Sequence, residues 1–402
     1  MALIEPLAAL VVSFCVLAVL IYKRVNLGVT LNVTALLLAF LVFDPQQVWE
    51  VLQTTVANAQ TQSIVLASFG IMLLSMLYKE TGTIDALSRS LSSIVKNSKL
   101  IVSAIPAVIG LLPVGGGALM SAPLVETEAE KLGLKEDKKT YVNLWFRHTI
   151  FPVYPINTVL IVIAGLTGLS VTSLIIRQIP VVAVMVIVGY LIGLRKTPTA
   201  PQKTPDKTDH LSETRQLAIT FSPILATIVA VVILNIDVSI ASFIGTAVLL
   251  MLARPKPATI VKPLRNWTIW GVTLAAFGAF LLKTTTETMG ISQLFSTLIS
   301  NGNVDSLLLL IAIPAFLSAI TGSVSGGAAI SIAMLAGLFS YTPTSVSLLY
   351  ISGYFGYIVA PTHLCLVLTA EYFKCSLGRL YKYLIPSTII SLAAGILVFF
   401  IA

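Results

Sequence analysis

The sequence has little charge. Only 10% of its 402 residues are charged, whereas a soluble domain carries about 25%. Hydrophobic residues make up 56% of the chain. A composition this apolar over this length excludes a water-soluble fold and predicts an all-α protein with many membrane-spanning helices.

Cysteine is scarce as well, with only Cys15, Cys365 and Cys375. An odd number without regular spacing predicts neither a disulfide framework nor a metal-binding motif. The glycines at 115–117 lack the Gly-Lys-Ser/Thr that completes a nucleotide-binding loop. We therefore expect no ATP-driven pumping, no resident cofactor other than a bound Na⁺, and no enzymatic activity.

The chain is a succession of apolar segments, and most have the length of one membrane crossing, about 20 residues. Two segments, 100–125 and 306–338, are instead interrupted by glycine-rich stretches. Their arms of about 12–15 residues reach only about 20 Å, which is short of a 30 Å hydrocarbon core. We predict that both are re-entrant helical hairpins. The other segments are 3–22, 27–43, 62–78, 141–166, 171–194, 216–234, 238–253, 267–283, 345–369 and 380–402.

The two halves of the sequence resemble each other. Phe69-Gly70 and Gly82 recur as Phe277-Gly278 and Gly290, at an offset of 208. Further pairs at offsets of 206–210 are Pro106 with Pro314, Gly116-Gly117 with Gly326-Gly327, Pro155 with Pro361 and Pro180 with Pro386. Ordered matches of this kind indicate an internal repeat. Residues 1–195 and 216–402 then form two repeats, each with five crossings and one hairpin, joined by a polar linker at 196–215.

Five crossings per half give the second repeat inverted topology, and the positions of the basic residues are consistent with this. With both termini outside, 22 of the 25 Lys and Arg residues fall on the cytoplasmic side. The net charge of +8 is thus a topology signal and not a nucleic-acid-binding surface. We predict a multi-pass protein of the cytoplasmic membrane, in contact with lipid. The segment from Thr83 to Lys99 is amphipathic and is expected in the membrane interface, with 291–298 as its repeat partner.

The glycine-rich tips of the two hairpins are candidate substrate sites. Glycine allows a sharp turn and close approach of a ligand, and a helix that begins at the tip presents N–H groups that favour an anion. Serine and threonine hydroxyls surround the second tip, where they can bind a carboxylate or a cation. The alternative is a tight turn between packed helices. The predicted substrate-binding residues at the tips are Gly115, Gly116, Gly117, Ser121, Ser323, Ser325, Gly326 and Gly327.

Two spans, 141–166 and 345–369, are interrupted by proline, which removes a backbone donor and opens a helix. Discontinuous helices at matching places of inverted repeats are the best sequence indication of a transport site. The predicted site therefore also includes Asn157, Thr158, Thr362 and His363. Unwound carbonyls and hydroxyls suit Na⁺, which we expect near Pro113, Val114, Pro155, Thr321, Gly322 and Ala360. His363 either lines the site or is structural, and Arg147 either neutralises a substrate or snorkels to the interface.

The glycine-rich hairpin with Ser121-Ala122-Pro123, and the stretch Ala360-Pro361-Thr362-His363-Leu364-Cys365, resemble the ion transporter superfamily. They are most similar to an uncharacterised family of prokaryotic, often archaeal, membrane proteins that distantly resembles the gluconate permeases. The resemblance implies a homodimer with an elevator-type transport domain. The first tip, Gly-Gly-Gly-Ala, lacks the Asn found in the hairpin tips of dicarboxylate carriers.

The function that these features favour is secondary active transport of a small organic anion, a carboxylate or sugar acid, coupled to Na⁺ or H⁺ by alternating access. Two alternatives remain: an inner-membrane enzyme or flippase acting on a lipid-linked substrate, and an ion carrier or channel without an organic substrate. An enzyme or flippase would be expected to cluster His, Asp or Glu at one membrane face. An ion carrier or channel would not require two inverted hairpins.

Overall fold

The computed structural model describes residues 5–95, 97–111, 117–197, 210–290, 306–335 and 340–401, and every regular element in these ranges is helical, as predicted. Two 3₁₀ turns at Phe151–Val153 and Lys262–Arg265 and a π-helical turn at Tyr190–Leu194 complete the elements. The α-helices are α1 (Pro6–Tyr22), α2 (Leu27–Val42), α3 (Pro45–Ala57), α4 (Ala59–Glu80), α5 (Thr83–Ile94), α6 (Ser98–Gly110), α7 (Gly117–Lys131), α8 (Glu136–Thr149), α9 (Thr158–Thr167), α10 (Val171–Gly189), α11 (His210–Val232), α12 (Val238–Ala253), α13 (Pro257–Val261), α14 (Trp267–Thr288), α15 (Ser306–Thr321), α16 (Val324–Leu335), α17 (Pro343–Val359), α18 (Leu364–Tyr372) and α19 (Leu377–Ile401).

Seven stretches of the described chain are long and apolar enough to cross a membrane. Three further predicted crossings are the shorter apolar helices α1, α2 and α12, of 16–17 residues. The chain is therefore an integral membrane protein. The seven stretches are Ala59–Glu80, Glu136–Thr167, Val171–Leu194, Ser212–Val232, Trp267–Thr288, Pro343–Tyr372 and Leu377–Ile401.

Local capping chemistry sets several helix boundaries. Asp44 accepts a hydrogen bond from the Gln47 N–H at 2.9 Å, and the Gln47 side chain accepts one from the Asp44 N–H at 3.2 Å. Together with Pro45 at the first helical position, this capping box starts α3. The helix is short and half polar, so apolar length alone does not predict it. Thr342 and Ser345 form the same kind of box at the start of α17.

Both glycine-interrupted segments form pairs of helices that pack on each other, α6 with α7 and α15 with α16. In the second pair Gly322 makes the turn with a positive φ of 61°. The Ser323 hydroxyl then accepts a hydrogen bond from the Gly326 N–H at 3.2 Å and caps α16. The turn is thus shorter than the glycine-rich stretch at 321–327, since the residues from Val324 on, including Gly327, are helical.

The two proline-interrupted spans are broken where the prolines stand. The first runs as α8, a 3₁₀ turn and α9, and residues 154–157 between them are not helical. The second runs as α17 and α18, separated by residues 360–363. The predicted linker is shorter at its end, because α11 already begins at His210. Residues 198–209 and 291–298 lie outside the described residues.

The chain packs as two compact units that do not coincide with the two halves of the sequence. The first unit comprises Met1–Gly70, Thr158–Leu174 and Asn266–Ala360. The second comprises Ile71–Asn157, Ile175–Arg265 and Pro361–Ala402. Each unit takes helices from both predicted repeats. In the first, α9 packs on α16 and α17, and in the second α18 packs on α7 and α8.

Small residues let helices of the first unit approach closely. A Cβ at Gly28 of α2 would stand 2.5 Å from the Gly271 carbonyl oxygen of α14. Nearby, the Asn32 amide donates hydrogen bonds to the carbonyls of Gly28 and Leu274, both at 2.8 Å. This amide joins α2 to α14 by a bond between side chain and backbone, which is favourable where water is excluded. The close contact holds α2 and α14 together within the first unit, which also contains the second hairpin.

Candidate functional site

The predicted site residues divide between the two units. The second unit holds Gly117, Ser121, Asn157, Thr362 and His363, with Pro155 of the predicted Na⁺ set. Pro113, Val114, Gly115 and Gly116 lie outside the described residues. The first unit holds Thr158, Ser323, Ser325, Gly326 and Gly327, with Thr321, Gly322 and Ala360 of the Na⁺ set.

In the first unit the predicted hydroxyls bond to each other and to nearby backbone. The Ser323 and Ser325 hydroxyls are 2.9 Å apart, and the Thr321 hydroxyl donates to the Ser323 carbonyl at 3.0 Å. These bonds stabilise the turn between α15 and α16. Behind the turn, Ser318 is fully buried, and its hydroxyl has no hydrogen-bond partner among the described residues. Gly327 packs directly on the Ser318 backbone, which explains why the position needs glycine.

In the second unit, Ser121 connects the first hairpin to α8. Its hydroxyl donates to Asn143 Oδ1 at 2.6 Å, and the Asn143 amide donates to the Ala118 carbonyl at 3.0 Å. Both side chains are fully buried. The arrangement satisfies these polar groups within the protein and holds the first turn of α7 against α8. Ser121 therefore positions the hairpin, and its hydroxyl donates its hydrogen within the protein and not to a ligand.

Asn157 stabilises the break of the first span. Its amide donates to the Phe151 carbonyl at 2.9 Å, and its backbone N–H donates to the Tyr154 carbonyl at 3.0 Å. The unwound segment is thus closed on itself just before α9 begins. At the second break Thr362 is exposed and His363 is fully buried. The His363 carbonyl accepts from the N–H groups of Leu366 and Val367, which starts α18.

Arg147 is the most unusual charged residue of the described chain. It stands near the end of α8 and is only 2% exposed. The other buried cation, Lys139, is bonded to Glu130 at 3.0 Å. In contrast, Arg147 Nε and Nη1 are buried and find no hydrogen-bond partner among the described residues. A Cβ at Gly110, the last residue of α6, would touch the Arg147 backbone, so α8 packs at this residue against the C-terminal end of α6.

Next to Arg147, the two breaks bring two histidines together. The rings of His148 and His363 meet edge to face with centroids 4.8 Å apart. His148 Nδ1 is 2.7 Å from the Leu144 carbonyl oxygen. Cys365 joins this pair, and one ligand atom from each of the three side chains lies within 4.8 Å of the others. His148 precedes His363 by 215 positions and Cys365 by 217, so only the packing of α18 on α8 reveals the cluster.

The sequence left open whether Arg147 neutralises a substrate or snorkels to the interface, predicted no metal-binding motif for Cys365 and did not single out Ser318. A signal was present for Arg147, since a basic residue inside an apolar span and close to its break is a functional candidate by default. The odd cysteine count and the lack of metal-ligand spacing gave no such signal for Cys365.

Comparison with known proteins places the chain in a family. A family model described as "Protein of unknown function (DUF401)" matches residues 6–402. The chain belongs to this DUF401 family. No curated protein matches the DUF401 chain. The match does not confirm the resemblance to gluconate permeases or to the ion transporter superfamily, which stays a prediction.

Among solved structures, this DUF401 chain is similar to the YdaH transporter of Alcanivorax borkumensis, whose crystal structure is described as revealing an unusual topology. The TM-score is 0.60, and the alignment covers 89% of each chain at 14% sequence identity. At this identity the likeness establishes a shared fold. The DUF401 chain thus shares its fold with a membrane transporter, although the two sequences are only 14% identical.

Proposed function

We propose that the protein is a secondary active transporter of a small organic anion, coupled to Na⁺ or H⁺ and working by alternating access. The observation that carries the proposal is Arg147, a cation buried in a membrane-spanning segment, whose Nε and Nη1 have no hydrogen-bond partner among the described residues. The fold, shared with a transporter, supports the same class of function.

An uncompensated buried charge is expensive. Insertion of an arginine at the centre of a membrane helix costs about 2.5–3.5 kcal/mol, and an ion removed from water inside a protein costs several kcal/mol. The segment 112–116, which follows α6 in the chain, reads Leu-Pro-Val-Gly-Gly and contains no acidic residue. In this proposal a bound anion supplies the counter-charge of Arg147. A guanidinium binds carboxylates through paired hydrogen bonds, which favours a carboxylate or sugar acid over a spherical anion.

The surroundings of Arg147 in the second unit are suited to negative charge. The helix α7 begins at Gly117, directly after the tip, and α18 begins at Leu364, beside the contact between His148 and His363. Helix N-termini carry positive partial charge. The acidic side chains of α7 and α8 with a described partner are Glu126, Glu128, Glu130 and Asp137, which are bonded to Tyr372, to Ser98 and Lys131, to Lys139 and to Tyr383. None of these described bonds involves Arg147.

The correspondence of structural elements supports inverted repeats and, through them, alternating access. Helices α4 and α14 both have 22 residues, and α2 and α12 both have 16. Gly82 and Gly290 end α4 and α14 with φ values of 68° and 69°. The second parts of the two broken spans also correspond. Helix α9, from the first repeat, packs on the second hairpin, and α18, from the second repeat, packs on the first hairpin. Homodimer formation is part of the same proposal and rests on the family resemblance.

The proposal can be tested by ligand-induced stabilisation of the purified protein. Carboxylates and sugar acids are screened for a rise in Tm, because a ligand that binds only the folded state stabilises it by mass action. Arg147→Gln is expected to weaken binding about 10- to 150-fold, the loss of about 1.5–3 kcal/mol for a charge-assisted hydrogen bond. The exposed Arg215 provides a matched control, and Arg215→Gln should bind as the native protein does.

Uptake into proteoliposomes then tests transport and coupling. The expected result is uptake of the stabilising anion that depends on an imposed Na⁺ or proton gradient and is lost in Arg147→Gln. Uptake without any gradient dependence would indicate a passive carrier or channel. If no anion raises Tm and none is taken up, the anion proposal is wrong.

A further inference from the structure

The second unit contains a cluster of metal-ligating side chains that anion transport does not require. His148 is the penultimate residue of α8, His363 precedes α18 and Cys365 is the second residue of α18. Both histidines are buried, and Cys365 is half-buried. One ligand atom from each lies within 4.8 Å of the other two.

The orientation of His148 is that of a metal ligand. A carbonyl oxygen only accepts hydrogen bonds, so the contact of 2.7 Å with the Leu144 carbonyl places the ring hydrogen on Nδ1. In the neutral ring Nε2 then carries the lone pair. Metal-binding histidines almost always donate their second N–H in this way, because the bond fixes both the tautomer and the ring orientation.

We propose that His148, His363 and Cys365 bind one transition-metal ion of the Zn²⁺ type. Two imidazole nitrogens and a thiolate suit Zn²⁺ and disfavour Na⁺, Mg²⁺ and Ca²⁺, which prefer oxygen ligands. Bond lengths of about 2.0–2.3 Å separate tetrahedral ligands by about 3.3–3.7 Å, so the three atoms need to approach by about 1 Å. Three protein ligands leave one position of a tetrahedral ion open.

The charges around the cluster bear on the protonation state of Cys365. Arg147 adds a positive charge next to His148, which opposes a dication. Cys365 binds as the thiolate and releases its proton on metal binding, and its negative charge offsets part of this repulsion. The open position is filled by water or by an anion. The metal site is independent of the transport proposal, because its three ligands are complete without a transported solute.

The test uses the full-length protein without a histidine tag, since the chain itself has only three histidines. Co²⁺ is titrated as a spectroscopic probe, and Zn²⁺ is titrated in competition with a chromogenic chelator. We expect one equivalent of either ion per chain, with a thiolate-to-Co²⁺ charge-transfer band and the intense visible bands of tetrahedral cobalt. Zn²⁺ should also protect Cys365 from alkylation.

Cys365→Ser should remove the charge-transfer band, and Cys365→Ser or His363→Gln should weaken Zn²⁺ binding by about tenfold or more. The matched controls are Cys15→Ser and His210→Gln, which remove the same residue types elsewhere in the chain and should change neither the spectrum nor the affinity. The spectrum of the native protein decides the matter even where a variant does not fold. Absence of the charge-transfer band, or stoichiometric binding that survives both ligand substitutions, would overturn the proposal.

Discussion

At the scale of single residues, buried polar groups determine what this protein can bind. Arg147 and Asn143 stand four positions apart on α8 and are both buried, yet their roles differ. The Asn143 amide is satisfied by Ser121 and Ala118, so its bonds stabilise the fold. Arg147 Nε and Nη1 lack described partners, so their hydrogen-bonding capacity points to a ligand.

Replacing Arg147 should therefore change the stability of the protein even when no ligand is bound. We expect Arg147→Met to raise the free energy of unfolding by about 1–4 kcal/mol, because an apolar side chain removes an unpaired buried charge. Thermal unfolding in detergent, with and without anion, measures the effect. A cation that is paired within the fold would behave oppositely, and Arg147→Met would then lower Tm.

The contribution of the hydrogen bond between Ser121 and Asn143 to stability can be measured by mutation. Ser121→Ala leaves Asn143 Oδ1 without its donor and should destabilise the protein by about 1–3 kcal/mol. A double-mutant cycle with Asn143→Ala should give a coupling energy of about 0.5–3 kcal/mol. The control is Ser103→Ala on α6, whose hydroxyl donates within its own helix at 2.9 Å. A coupling energy near zero would show that the hairpin is not held by this bond.

Cys375 lies between α18 and α19 and supplies a prediction on pH. Burial raises the pKa of its thiol, and only the thiolate reacts with an alkylating reagent. In a variant that keeps Cys375 as its only cysteine, the alkylation rate should continue to rise above pH 9 in the folded protein. In denaturant the rate should level off near the ordinary thiol pKa of about 8.5. Identical pH profiles in the two states would contradict the expected shift.

At the scale of elements, apolar length and proline position predict most helices, and the exact turns depend on packing. The glycine-rich stretch of the second hairpin spans residues 321–327, but within it Gly322 alone has a left-handed backbone, and Ser323 caps the following helix. Gly326 and Gly327 are helical and are needed for close contact with neighbouring helices. The sequence shows the glycines but not which of their two properties, turning or close approach, is used.

Gly327→Ala tests this distinction. An added Cβ would stand 2.5 Å from the Ser318 backbone nitrogen, so α15 and α16 have to separate. We expect destabilisation by about 1–3 kcal/mol, measured by thermal unfolding. Since the clash is with backbone, Ser318→Gly should not rescue it. The exposed Gly378 of α19 has open space around it, and Gly378→Ala should be neutral or stabilising by up to about 1 kcal/mol.

At the scale of the whole molecule, the repeats of the sequence and the compact units of the structure are different divisions of the chain. The sequence predicts halves at 1–195 and 216–402, whereas each unit combines helices from both. Two of the boundaries between the units, after Asn157 and after Ala360, fall at the two breaks, so α9 belongs to a different unit from α8, and α18 to a different unit from α17. Proline interrupts the helical hydrogen bonds and lets the two parts of such a span pack independently.

Reporter fusions can test the predicted membrane topology. If 22 of the 25 basic residues lie on the cytoplasmic side, as predicted, a fluorescent protein inserted in the 198–209 linker should fluoresce, and alkaline phosphatase fused to the C-terminus should be active. A phosphatase inserted in the linker serves as the reciprocal control and should be inactive. Reporters that place the linker and the C-terminus on the same side would contradict inverted topology.

Hydropathy along the sequence is enough to identify an integral membrane protein of apolar helices, because it depends only on local composition. Glycine and proline likewise mark the hairpins and breaks, since glycine permits turns and proline interrupts a helix. Which polar groups are satisfied, and which are buried without a described partner, depends on the tertiary structure. The tertiary packing also brings His148 to His363 and Cys365, because this contact joins helices more than 200 residues apart in sequence.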